Sequence, residues 1–553
     1  MSWLHTWCGL TCGWLLCAIF LAGTLSVFRE PITRWMEARP ALPAAHSGPA
    51  SSATSSTTTA DPLAPAVHYL AQHAAQARAW IITLPAQSGD AVLLSWRAAN
   101  AGGGGKAGMQ QAALDPASGA VLPSPWGRAT EGGRHFMSFH YMLHAGIPGF
   151  WVVGWVAMCA LVALISGVVV HKRIFKDFFT FRPGKGQRSW LDAHNVSAVL
   201  ALPFLFMIVY TGLSYFYSSY VPLPLRAVYG DDTQAYQRFQ NELTHADAAN
   251  AAAAATGKTG NVSSVAPTSA QRPDLTPLLQ QARALTGGEI RRIVVEQAGK
   301  PGMKIRLLGD GTDHDSTAIL NQNGVLLLEA ASGKIVQLQK SGPPEKFSSE
   351  HIHGVLERLH IASFGGWGIK WLYFLSGLMG SVMIATGTLL FAIKRQKKSL
   401  MEFGAGTALV YRCVDVLNIA AIIGTCLACV GYFYANRLIP ADLAGRAQLE
   451  ISAFFYVWLA SLLHAALRPA GKAWIEQLAA TAALCLALPL LNWLSTGQQL
   501  GFYLLQGDWQ RAGVELTALG FGLLFLLILR RLTTRTAMNE KAQTARSARE
   551  GNA

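Results

Sequence analysis

Eight runs of about twenty apolar residues decide what this chain can fold into. They lie at about 7–28, 147–170, 195–217, 367–393, 409–435, 451–467, 473–494 and 512–530. Each is long enough to cross a hydrocarbon layer about 30 Å thick as an α-helix. Inside such a layer only a helix or a closed barrel satisfies every backbone polar group. With 51% of the 553 residues hydrophobic and only 14% charged, the expected fold is a mainly α integral membrane helix bundle of about eight transmembrane helices. The segment before the first run, MSWLHTW, has no basic residue and the run is long for a signal peptide, so a retained helix is expected.

The net charge of +14 does not point to nucleic acid, because the basic residues gather in a few short loops. Lys172, Arg173, Lys176, Arg182, Lys185 and Arg188 lie between runs two and three. Lys394, Arg395, Lys397 and Lys398 follow run four, Arg468 and Lys472 separate runs six and seven, and Arg530, Arg531 and Arg535 follow run eight. The positive-inside rule places all four groups in the cytoplasm, and eight spans with both termini cytoplasmic satisfy every one. The long polar segments 29–146 and 218–366 then lie outside a bacterial inner membrane, in the periplasm.

Those two segments carry the same plan. In the first, the helix-like PAVHYLAQHAAQA leads to the strand-like AWIITL and AVLLSWRA and closes with AALDPASGAVLPS. In the second, LTPLLQQARALTG leads to RRIVVEQ, MKIRLLG, TAILNQ and GVLLLEAASGKIVQL. The endings DPASGAVL and EAASGKIV share an acidic–x–x–Ser-Gly pattern, which marks two copies of one small α+β module. Low-complexity linkers at 47–60 and 244–273 separate the modules from their neighbours. The expected organisation is a first transmembrane helix (1–34), a module (62–130), helices two and three (135–217), a segment (218–350) with the second module at 274–340, helix four (351–398) and a four-helix C-terminal bundle (405–535).

Histidines decorate the ends of four runs. His5 begins the first, His140 and His144 precede the second, His171 closes it, His194 opens the third, and His351, His353 and His360 precede the fourth. Histidine is costly in a bilayer and usually marks a site there. Placed at helix ends on both sides of a bundle, it suits bis-histidine haem ligation. If helical, His140 and His144 share a face at i and i+4, and His353 and His360 at i and i+7. The expected ligands are His144 with His360 on the periplasmic side, His140 and His353 being further candidates, and His194 with either His171 or His5 on the cytoplasmic side. His351 is out of phase with His353. Arg358 and Arg134 are candidate partners of haem propionates. His464 reads as structural, and His46, His68, His73, His135, His245 and His314 read as surface residues. No C-x-x-C-H occurs, so the expected cofactor is non-covalent haem b, two or more per chain. All eight cysteines fall in or beside the runs, so no disulfide framework is expected outside the membrane. Glycines such as Gly154, Gly167, Gly380 and Gly387 let helices approach closely and leave room for a flat macrocycle.

LHTWCGLTCGWLLCAIFLAGTLSVF, SGVVVHKRIFKDFFTFRPGKGQRSWLDAHNVSAVLALPF, YTGLSYFY and RLHIASFGGWGIKWLYFLSGLMGSVMIATGTLLF resemble the PepSY-associated transmembrane helix family. The soluble repeats look like PepSY domains, and the resemblance covers roughly residues 1–398. It implies an inner-membrane haem protein, and some members are reductases that take ferric iron out of siderophores on the periplasmic side. The expected activity is thus a transmembrane oxidoreductase taking electrons from a quinol or a flavoprotein to a periplasmic ferric siderophore or other acceptor. No dinucleotide fingerprint offers a bound donor. The alternative is a non-redox PepSY membrane protein that binds or regulates a periplasmic peptidase. The last four helices, with His464 their only histidine, read as a packing or partner-binding bundle.

Overall fold

A computed structural model describes residues 1–550 apart from 41, 43–62, 88, 98–108, 171–186, 233, 244–273, 301, 310–318, 321–322, 344–348 and 404–405. His171, His46, His245, His314, both linkers and most of the first basic loop lie outside the described residues. In chain order the helices used below are α1 (Ser2–Ser26), α2 (Arg29–Glu37), α3 (Leu63–His73), α4 (Arg134–Met142), α5 (Gly146–Val170), α6 (Gln187–Tyr215), α7 (Thr276–Thr286), α8 (Ser349–Ile361), α9 (Gly366–Phe403), α10 (Gly406–Ile419), α11 (Thr425–Leu438), α12 (Arg446–Leu467), α13 (Ala470–Thr496) and α14 (Trp509–Glu550). The strands are β1 (Ala79–Thr83), β2 (Val92–Arg97), β3 (Met109–Leu114), β4 (Ile290–Glu296), β5 (Lys304–Gly309), β6 (Val325–Glu329) and β7 (Ile335–Gln339). They form two compact units: a helical unit (1–38, 128–216 and 368–553) and a sheet unit (39–127 and 217–367).

Among the described residues eight helices are long and apolar enough to span a membrane: Ser2–Ser26, Gly146–Val170, Gln187–Tyr215, Gly366–Ile393, Thr407–Leu438, Arg446–Leu467, Ala470–Thr496 and Trp509–Thr534. Each takes up one of the eight apolar runs, and the protein is a multi-pass membrane protein. The fifth span is α10 and α11 joined through one π-helical turn, Ala420–Gly424. Gly424 is required there, because a Cβ would stand 2.1 Å from the Ser461 hydroxyl of α12. Two short amphipathic helices complete the unit. α2 buries Pro31, Ile32, Trp35 and Met36, and α4 buries His135, Phe136 and Phe139. These faces join Ala18 and Ala22 of α1 to Tyr432, Phe454 and Leu488 of the last four helices in one core.

In the sheet unit the two module copies do not stand apart. Their strands form one antiparallel sheet in the order β3-β2-β1-β4-β5-β6-β7. The first strand of each copy meets the other, Ile81 opposite Val294. α3 and α7 pack against the same core, placing Leu70, Leu278 and Ala282 against Trp80, Ile82, Ile293 and Leu307. The matched endings are one turn made twice. Gly119 N–H donates to the Asp115 carbonyl at 2.8 Å and Gly333 N–H to the Glu329 carbonyl at 2.9 Å. Ser118 and Ser332 hydroxyls donate to the acidic side chains at 2.7 and 3.0 Å. Both glycines have positive φ, 71° and 65°, which glycine adopts without steric cost. The expected strand TAILNQ, residues 317–322, lies outside the described residues apart from Ile319 and Leu320, which are in a turn.

Candidate histidine site in the helical unit

Two of the end-placed histidines meet. His5, in the first turns of α1, donates from Nδ1 to the Ala163 carbonyl of α5 at 2.9 Å. His194, near the start of α6, donates from Nδ1 to the Met383 carbonyl of α9 at 2.8 Å, with the Thr386 hydroxyl 3.4 Å from the same nitrogen. A carbonyl only accepts, so each neutral ring carries its proton on Nδ1 and its lone pair on Nε2. The ring centroids are 6.4 Å apart with the planes at 64°. With a metal–imidazole bond of about 2 Å and about 1 Å more to each ring centre, two imidazoles on opposite sides of one metal have centroids roughly 6 Å apart. The spacing and the donor set therefore fit bis-imidazole ligation, and four different helices fix them.

At the other end of α1, His140 of α4 donates from Nδ1 to the Ile19 carbonyl at 2.9 Å. His5 and Ile19, which anchor the two levels, are fourteen residues apart, roughly 21 Å along a helix rising 1.5 Å per residue. His144 is placed differently. α4 ends at Met142, and Leu143 and His144 both take left-handed backbone with φ of 55° and 53°. His140 and His144 therefore do not lie on one helical face. His144 donates from Nε2 to the His135 carbonyl at 3.0 Å and stacks on the His135 ring at 4.9 Å. Burial holds both His140 and His144 below the ordinary histidine pKa, so both favour the neutral ring.

His135, expected at the surface, is fully buried. Its ring lies between His144 and Tyr432, 4.3 Å from the latter, with Phe454 edge-on at 4.6 Å. Neither ring nitrogen has a hydrogen-bond partner among the described residues, and burial pushes its pKa down to about 3. The signal was present in the order His135, Phe136, Phe139: a short amphipathic helix turns that face inward.

In the sheet unit α8 carries His351, His353 and His360, and His353 and His360 share a face. His353 meets Tyr217 edge-on at 5.8 Å. Arg358 donates to the Ser363 carbonyl at 3.5 Å, and burial holds its guanidinium below its usual pKa. Arg134, in the helical unit, is 57% exposed and faces Glu131 at 3.8 Å. His68 is exposed and His73 bonds its own helix at the Tyr69 carbonyl. His464 pairs with Glu476 at 2.9 Å. All eight cysteines are free.

The last four helices hold chemistry that composition hid. Glu450 of α12 is fully buried and accepts from Thr130 at 2.5 Å and Asn436 at 2.8 Å, with Arg446 at 2.9 Å. Arg437 of α11 lies 3.7 Å over the Trp35 ring and donates to Asn492 Oδ1 at 2.8 Å and the Trp35 carbonyl at 2.7 Å. Glu515 Oε1 of α14 accepts from Trp35 Nε1 at 3.0 Å and Asn492 Nδ2 at 2.7 Å. Its Oε2 is buried with no hydrogen-bond partner among the described residues. These charges flank or punctuate apolar runs, where single residues carry little weight against hydropathy.

Residues 2–394 match the family model of the PepSY-associated TM region. No curated protein matches the chain. The match runs from α1 through both module copies into α9 and stops before the last four helices. Because it spans well over half of the chain, the protein belongs to the family of the PepSY-associated TM region.

Proposed function

We propose that this protein is a haem b-containing reductase of the bacterial inner membrane that passes electrons from the cytoplasmic side to a periplasmic ferric siderophore. The observation that carries this reading is the His5–His194 pair, with both rings in the Nδ1–H form at a spacing that suits one metal between them. The basic loops assign this level to the cytoplasmic side, with both termini cytoplasmic. At the other level the proposed ligand from α4 is His140 in place of His144, whose Nε2 is engaged by the His135 carbonyl. His353 and His360 of α8 stand as further candidate ligands, and His171 as the alternative to His5.

Haem b, held by two of these imidazoles, would supply one-electron transfer. The chain's part is to place ligands at two depths, since a hydrocarbon core of about 30 Å is too thick for one cofactor to bridge. Siderophore oxygens favour hard ferric iron over ferrous, so one electron per iron weakens the chelate and releases the metal. The electron source is a quinol or a flavoprotein.

Protein purified in detergent tests this by its visible spectrum, oxidised and dithionite-reduced, with haem counted per chain, and by reoxidation of the reduced form with a ferric siderophore. Low-spin b-type bands at two or more haems per chain, reoxidised by the chelate, are expected. Absence of such bands in protein made with ample haem sinks the reading and leaves the peptidase-binding one. Bands that the chelate does not reoxidise restrict it to a conduit for another periplasmic acceptor.

A further inference from the structure

Three histidines from three helices make the same contact. His5 bonds the Ala163 carbonyl, and Gly167 follows four residues later. His140 bonds the Ile19 carbonyl, and Gly23 follows four residues later. His194 bonds the Met383 carbonyl, and Gly387 follows four residues later. In an α-helix the carbonyl of residue i accepts the N–H of residue i+4 and keeps a second lone pair. The Cα–Cβ bond at i+4 tilts back toward the helix N-terminus, so a side chain there covers that lone pair. Glycine leaves it uncovered, and in all three cases the imidazole occupies the vacated space. A Cβ on Gly23 would stand 2.6 Å from His140 Nδ1. One on Gly167 would stand 2.9 Å from His5 Cε1, and one on Gly387 3.1 Å from His194 Cε1.

We infer that Gly23, Gly167 and Gly387 are positioning residues, which uncover one carbonyl each so that an imidazole can dock its Nδ1–H there and present Nε2. This rests on reading the three histidines as haem ligands. It assigns the glycines a task distinct from helix packing or from making room for a macrocycle. It also explains the tautomer. A carbonyl bond at Nδ1 fixes the ring's proton and orientation and raises the basicity of the ligating nitrogen, as outer partners of metal-bound histidine do.

The test uses the full chain in detergent, ¹⁵N-labelled at histidine, first without haem and then loaded with haem b. In the haem-free protein, ring ¹⁵N shifts report the Nδ1–H form for His5, His140 and His194. Gly167→Ala is expected to convert His5 alone to the Nε2–H form, Gly387→Ala His194 alone, and Gly23→Ala His140 alone. On loading, Gly167→Ala and Gly387→Ala lose the same haem, and Gly23→Ala a different one. Gly377→Ala is the control: its Cβ would meet the Thr24 hydroxyl at 2.4 Å and no histidine. Unchanged tautomers in the three variants, or equal conversion and haem loss in Gly377→Ala, overturn the inference. Should Gly167→Ala fail to accumulate, Gly387→Ala interrogates the same site from the other helix pair. A wild-type chain that binds no haem defeats the functional reading, while the tautomer shifts still decide the role of the glycines.

Discussion

The histidine-bearing helices and the last four helices both bury polar groups, and they satisfy them in opposite ways. His5, His140 and His194 each dock Nδ1 on the backbone carbonyl of another helix, and in the neutral ring this puts the lone pair on Nε2. Glu450 and Arg437 are instead saturated, each by a cation–carboxylate, amide or carbonyl set drawn from several elements. A neutral imidazole oriented by a backbone carbonyl has the donor chemistry of a metal ligand. A group held at every point fixes structure, and a buried charge must be held so. The first region therefore reads as a site and the second as a clamp joining α2 and the loop before α4 to the C-terminal bundle.

Four measurements break or sharpen that contrast. The largest effect is expected from His194→Ala, which should remove one haem per chain and leave the fold intact. Haem content and thermal unfolding followed on the same sample check it, and loss of fold instead would move His194 into the clamp. Next comes Glu450→Ala, which leaves Arg446 buried without its carboxylate and should cost about 3–5 kcal/mol. Thermal or denaturant unfolding reads this, with the haem spectrum of whatever remains folded unchanged.

The third effect is pH-dependent. The His135 pKa is about 3 in the folded protein against about 6.5 in the unfolded chain. The folded state thus binds fewer protons between these values. Its contribution to stability is fully present above about pH 6.5 and is lost as pH falls toward 3, at up to ~1.4 kcal/mol per pH unit. His135→Phe should flatten that slope, and an unchanged acid profile would show that the ring is not the group that titrates. The smallest effect is expected from Glu515→Gln. Oε1 accepts two hydrogen bonds and Oε2 none among the described residues, so an isosteric neutral amide should change stability by less than about 1 kcal/mol. A loss as large as that from Glu450→Ala would mean that Glu515 carries a charge the clamp needs.

Much of the fold was legible because hydropathy is a property of each stretch by itself. The eight spans, the helix-then-strands plan of the modules and their matched Asp115 and Glu329 turns follow from local composition and local hydrogen bonds. The single seven-stranded sheet was not legible. β1 and β4 are joined by pairings such as Ile81 with Val294, and nothing in either strand names its neighbour. The same division runs through the site. The positions of His5 and His194 at helix ends were readable, yet the meeting of the His5 ring with His194 was not, and neither was the separation of His144 from the helical face of His140. That separation turns on two left-handed residues at the end of α4.

The sequence alone determined how many times the chain crosses the membrane, which ends carry histidine, and the family to which it belongs, since length, apolar content and motif are all written along the chain. Only the tertiary structure decided which carbonyl each imidazole reaches, which glycine uncovers it, and which charges are saturated. These depend on partners 158 and 189 residues away for His5 and His194. Helix pairing selects such partners through close packing over whole surfaces, which no single stretch of sequence encodes.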